Sequence, residues 1–166
     1  MDSLSNNSVE IYGNSEIFVQ NLNIEDVIGA GIVVYDKSIV DGKNIKIKNS
    51  KGDALMLYNE SIGFFDNLHT ENTSSLMVFN DSQFNLKNST IKNNTGQYGL
   101  YFFTNSKVDL DNVNVLNGGT SSALIAYQNT ELNIKNSVFD GGLGEGVFVF
   151  DGVSGNIKNI KIKNFE

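Results

Sequence analysis

The sequence predicts an all-β solenoid of about seven stacked coils, each built from three short strands, with a repeat of 21–24 residues. Three observations predict it. A small residue followed by a short apolar run recurs from Ser8, Gly31, Ala54, Ser75, Gly99, Ala123 and Gly146. Thirteen residues after every one of these starts stands an asparagine: Asn21, Asn44, Asn67, Asn88, Asn112, Asn136 and Asn159. Between the two, apolar and polar residues alternate with the period of two that marks half-buried strands.

Each element follows in sequence order. Residues 1–7, MDSLSNN, carry none of the pattern and are expected to be a disordered lead-in, which leaves 8–166 as a single domain. Counting the small residue as position zero, positions one to four are apolar runs such as IVVY at Ile32, LMVF at Leu76 and VFVF at Val147. Their shortness and their β-branched and aromatic content make them strands, because a helix needs roughly 10 residues or more. A polar pair and a hydroxyl column follow (Ser15, Ser38, Ser61, Ser82, Ser106, Thr130). Positions nine and eleven are then inward, as in Ile17/Val19, Phe84/Leu86 and Val108/Leu110. After the asparagine the inward set slips to positions fourteen and sixteen, as in Ile45/Ile47 and Val113/Val115. One straight strand cannot change its buried face in this way, so the backbone bends at the asparagine, which tolerates left-handed angles. A second polar corner follows at Asp26, Asn49, Asn72, Asn93, Asn117, Gly141 and Asn164, and only the connection after it varies in length.

Three strands and three corners close one triangular coil. Stacking coils ~4.8 Å apart lays each residue over its counterpart. The asparagines are expected to form a buried structural column, their amides hydrogen-bonded to one another along the stack. The pattern resembles the right-handed, single-stranded parallel β-helix of the pectate-lyase-like superfamily, and most of all bacterial autotransporter passengers and Asn-rich adhesin-like surface proteins. The phrases GLYFFTNSKVDLDNVNVLN and FNLKNSTIKNN and the asparagine column carry the resemblance, which covers Ser8 to Asn164. A leucine-rich repeat has a compatible period, but its asparagine lies three residues after the last leucine, whereas here Ile134 precedes Asn136 by two.

Composition bounds the role. The protein has 12 Lys+Arg against 19 Asp+Glu, a formal charge of -7, which argues against nucleic acid as a partner. It contains no Cys or Pro, so disulfides and Cys-ligated metals are excluded. No apolar run approaches ~18 residues, so no membrane insertion is expected from this segment. The first repeat starts almost at Met1 and the last runs to Glu166, so a segment of a longer secreted or cell-surface protein is expected.

No reaction chemistry stands out. The resemblance to pectin-cleaving enzymes would imply clustered Asp residues, often holding calcium, beside Arg or Lys, and the sequence lacks Arg. Asp109 and Asp111 share one outward strand face, and the only histidine, His69, has no oriented partner in sequence. GGLGEGVF from Gly141 resembles a calcium nonapeptide, but Gly146 stands where the aspartate is required. Asn6, Asn59, Asn72, Asn80, Asn88 and Asn93 begin N-x-[ST] triplets, of which Asn88 is expected to be buried. No catalytic residue, metal or cofactor is therefore assigned.

The unusual feature is the first strand, apolar on both faces. If positions one and three point inward, positions two and four leave an outward stripe of Tyr35, Tyr58, Phe79, Tyr101, Phe103, Tyr127, Phe148 and Phe150. A strand apolar on both faces is normally covered on both. A neighbouring domain or a second copy (a homodimer) could cover it, a surface or host glycan or protein could bind it, or the parity is reversed and the rings fill the core. The expected role is a non-catalytic, adhesin-like stalk with a recognition stripe. The alternatives are a carbohydrate-active enzyme on an acidic polysaccharide, with acids around Asp81, Asp109 and Glu131, and a self-associating structural module.

Overall fold

A computed structural model describes residues 6–166. Residues 1–5 of the lead-in lie outside the described residues, while Asn6 and Asn7 already join the stack. Asn6 O accepts from the Gly29 N–H at 3.2 Å and Asn7 Oδ1 from the Ala30 N–H at 2.8 Å. All described strands pair in parallel, each with its counterpart in the next coil. The seven short first strands form one sheet in coil order, from Val9–Ile11 to Glu145–Val149. Register is kept throughout: Ile32 lies over Leu55, Leu55 over Leu76, Leu76 over Leu100 and Leu100 over Leu124. The predicted all-β solenoid of about seven coils is borne out.

The second sheet corrects one detail. In coils two to five the second and third strands are a single ten-residue strand that passes through the asparagine: Ile39–Lys48, Ile62–Glu71, Gln83–Lys92 and Lys107–Leu116. Only the first, sixth and seventh coils divide it in two, as Glu131–Lys135 and Val138–Gly142 do in the sixth. The reason is that one left-handed residue turns the backbone without interrupting its bonds to the coils on either side. On either side of Asn44 the pairing carries on, Lys43 lying over Asp66 and Ile45 over Leu68, so the bend keeps its place in the ladder.

All seven corner asparagines have φ between 50° and 61°. Their side chains are exposed, Asn88 included, which corrects the expected burial. The phase slip itself explains this. With positions eleven and fourteen both inward, the two residues between them must both face out. The column is nonetheless bonded. Asn44 donates to Asn21 Oδ1 at 3.0 Å, Asn67 to Asn44 at 2.9 Å, Asn112 to Asn88 at 2.9 Å and Asn159 to Asn136 at 3.4 Å. Where the run breaks, an aspartate one residue earlier accepts instead: Asn88 reaches Asp66 at 2.8 Å and Asn136 reaches Asp111 at 3.0 Å. The corner after the first strand is tighter still, with two successive left-handed residues in every coil, such as Asp36/Lys37 and Thr104/Asn105.

Inside, like lies over like. Leu55, Leu57, Leu76, Val78, Leu100 and Phe102 are fully buried, each contributing about 1.5–3 kcal/mol by leaving water. Two glycines set the spacing. A Cβ on Gly31 would stand 2.7 Å from Ala54 O, and one on Gly42 would stand 2.6 Å from the Phe65 ring that fills its place. The hydroxyl column is buried from Ser38 to Thr130 and takes up backbone donors, Ser61 N–H reaching Ser82 Oγ at 3.1 Å.

Candidate functional site

The inward residues of the first strand in coils two to six, from Ile32/Val34 through Leu55/Leu57, Leu76/Val78 and Leu100/Phe102 to Leu124/Ala126, are all buried. Only the end coils leave theirs partly open, with Val149 exposed. The aromatic stripe therefore faces out, and the reversed-parity alternative is removed. Tyr12, Tyr35, Tyr58, Phe79, Phe103, Tyr127 and Phe150 form one continuous ladder through all seven coils. Ring centroids are 4.8–5.5 Å apart and the planes lie within 13° of parallel. This geometry decides what the ladder can bind. Each ring face lies against its neighbour, and a ligand ring slipped between two would need ~7 Å, twice the ~3.5 Å contact distance. From Tyr35 to Tyr127 the column offers ring edges and hydroxyls to solvent.

The stack changes character from the fifth coil. Tyr101 and Phe148, two positions before the ladder rings of their coils, lean on Phe103 and Phe150 at 32° and 31°. Tyr98 leans on Tyr101 at 42°, and the Tyr101 and Tyr127 hydroxyls hydrogen-bond at 2.7 Å. Burial first, and then that hydroxyl pair, raises the Tyr101 phenol above its ordinary value. Phe148 and Phe150 are 42% and 44% exposed. Of the eight stripe residues predicted, Tyr35, Tyr58, Phe79, Phe103, Tyr127 and Phe150 belong to the ladder, and Tyr101 and Phe148 build a second layer on it. Tyr98 escapes the sequence pattern because it lies in the connection of variable length. So do Phe18 and Phe64, exposed on the outer face of the second sheet, where their position otherwise holds Asp or Asn.

That second face carries the polar residues. A groove of ≈ 370 Å³ is lined by Asn85, Lys87, Asp109, Asp111, Asn133 and Lys135, among others. Asn133 Nδ2 donates to Asp109 at 3.0 Å and, at 3.5 Å, to Glu131, which is also paired with Lys107 at 3.2 Å. The Asn136 amide and the Lys135 ammonium hold the Asp111 carboxyl below its usual range. Asp109 and Glu131 thus come together, but Asp81 does not join them. It sits at the left-handed turn after the first strand, where it accepts from Asn105 at 3.1 Å.

His69 lies on the third face, its Nε2 3.8 Å from Glu71, and burial lowers its pKa. Glu71 itself is held by Lys48 at 2.7 Å and Lys92 at 3.2 Å, which pull its pKa down to about 2. Among the described residues no three His, Asp or Glu side chains gather as metal ligands, and no helix is long and apolar enough to cross a membrane.

In-register parallel coils, left-handed corners and side-chain ladders define the class: a parallel β-solenoid. Residues 7–165 match the family model described as the right-handed β-helix region, and the protein belongs to that family. This agrees with the pectate-lyase-like superfamily that the repeat resembles. Searches among curated proteins and among solved structures return no match.

Proposed function

We propose that this protein is a non-catalytic segment of a secreted or cell-surface adhesin-like protein. Its β-helix serves as a stalk, and its recognition surface is the aromatic cluster of coils five to seven. One observation carries the reading: beside the parallel ladder Tyr98 and Tyr101 form a tilted second layer that reaches Tyr127 of the next coil, and Phe148, leaning on Phe150, leaves its ring 42% exposed. Beside them the Tyr101–Tyr127 hydroxyl pair supplies polar groups at a fixed position. Tilted rings next to hydroxyls suit the apolar face and hydroxyl rim of a sugar. The rest of the stripe is a spine holding the coils in register. The test is a glycan-binding survey of the wild type and of a Tyr101→Ala/Phe148→Ala double variant. Glycan binding that vanishes in the variant supports the reading, and binding that survives at full strength contradicts it.

A second reading rests on the polar groove. Asp109 and Asp111 line a concavity with Lys87 and Lys135, which could serve a carbohydrate-active enzyme. Asp111, held ionised by its partners, is poorly suited to donate a proton. Cleavage of an acidic polysaccharide that is lost in Asp109→Asn would establish this reading in place of the first.

A further inference from the structure

We infer that Asn117 is a built-in site of spontaneous deamidation, gated by opening of the contact between the fifth and sixth coils. Three observations coincide there. Of the 25 asparagines in the sequence, Asn117 alone is followed by glycine. That glycine is demanded by packing, since a Cβ on Gly118 would stand 2.5 Å from Val115 Cγ1 and 3.0 Å from Ala123 Cβ. The next coil also lacks the ladder amide at this corner. Asn117 Nδ2 donates to Asn93 Oδ1 at 3.0 Å, but Gly141 lies over Asn117, so Asn117 Oδ1 accepts no hydrogen bond among the described residues. An exposed concavity lined by Asn93, Asn117, Asp140 and Gly141 brings water to the site.

The chemistry needs only water. Gly118 N attacks Asn117 Cγ, the new C–N bond forms as the Asn117 Cγ–Nδ2 bond breaks, and the amide leaves as ammonia carrying the proton from Gly118 N. Water then opens the cyclic imide at either carbonyl, giving aspartate or isoaspartate. Glycine lacks the Cβ that would crowd the attacking nitrogen. In the closed coil the attack is blocked, because Gly118 N–H donates to Gly141 O at 3.2 Å and Asn117 is fixed at φ 53°. Local opening of that corner releases both restraints at once. The product is damaging. A carboxylate at 117 would face Asn93 Oδ1 with no proton to share. The isoaspartate form adds a backbone carbon between the two bonds that tie this corner to Asp140 O and Gly141 O.

The test is peptide mapping with isoaspartate detection on the folded protein, held at mildly alkaline pH through a urea series below its unfolding midpoint. Asn117 is expected to convert first among the asparagines, at a rate rising in step with hydrogen exchange at the Gly118 amide. Because Gly142 follows, Gly141→Asn adds a second Asn-Gly pair, which peptide mapping reads apart from Asn117. The substitution restores a ladder donor above Asn117, whose Oδ1 must shift to admit a Cβ 2.7 Å away, and asparagine tolerates the left-handed backbone found there. It should slow native conversion about fivefold, as one hydrogen bond would, and leave the fully denatured rate unchanged. Earlier conversion of another asparagine, no native conversion at Asn117, or conversion independent of Gly118 exchange would each overturn the inference.

Discussion

The aromatic stripe divides into two regions that use the same rings at the same pitch to different ends. In coils one to four each ladder ring meets only the rings above and below it, because the position two residues earlier holds Glu10, Val33, Met56 or Met77. In coils five and seven that position holds Tyr101 and Phe148, and the extra rings lean out of the stack at 32° and 31°. A closed stack stabilises and offers edges. The tilted second layer ends in the exposed ring of Phe148, which offers ring surface to a ligand. Aromatic content alone therefore does not make a binding stripe on a solenoid. What decides is whether each ring's faces are already occupied by its neighbours one coil away.

The sharpest way to break this comparison is to remove a ring from the closed region. Tyr58 stacks on both Tyr35 and Phe79, at 5.2 and 5.1 Å. Tyr58→Ala should cost about 3 kcal/mol through two lost ring pairs and the apolar area they bury, measured by urea unfolding. Next comes the corner ladder, which depends on backbone as well as contact. Asn67 combines φ 61° with a 2.9 Å bond to Asn44. Asn67→Ala should cost about 2 kcal/mol, while Asn67→Gly, which keeps the backbone and loses only the amide, should cost about 1 kcal/mol or less.

Much of this is legible in the sequence. The repeat starts at Gly31 or Ala54, the bend at each asparagine and the aromatic column all follow from periodicity, because stacking converts a period into a column. The side the column faces is fixed only by the burial of residues such as Leu55 and Leu57. Burial of the asparagines is the misreading, although the slip between Val19 and Leu22 already requires two outward residues between them. The paired left-handed corner is not legible. Each pair holds an Asn or Asp, as Asp36/Lys37 and Asn59/Glu60 do, but its partner varies from Lys to Glu to Thr, so the pattern reads as a polar turn and not as two left-handed residues in a row. Tyr98 stays hidden because the connection it belongs to changes length from coil to coil, leaving no column to read.

A smaller effect separates charge from stacking on the third face. Glu71 has a folded pKa of about 2 against an ordinary 4.5. Its stabilising contribution is therefore present above about pH 4.5 and is lost as pH falls toward 2. Glu71→Gln should remove that part of the acid dependence of the unfolding midpoint while leaving the ring ladder intact. Smallest of all, Tyr58→Phe should change stability by less than about 0.5 kcal/mol, because the ladder uses the ring and not the hydroxyl.

The most direct measurement sets Tyr58→Ala beside Tyr101→Ala/Phe148→Ala, reading unfolding midpoint and glycan binding on the same samples. The closed-ladder variant is expected to lose stability and keep binding, and the tilted-layer variant, which gives up four ring contacts and the Tyr101–Tyr127 hydroxyl bond, to lose stability and binding together. Equal loss of binding in both variants, or full binding kept by the tilted-layer variant, would contradict the division of the stripe into spine and recognition surface.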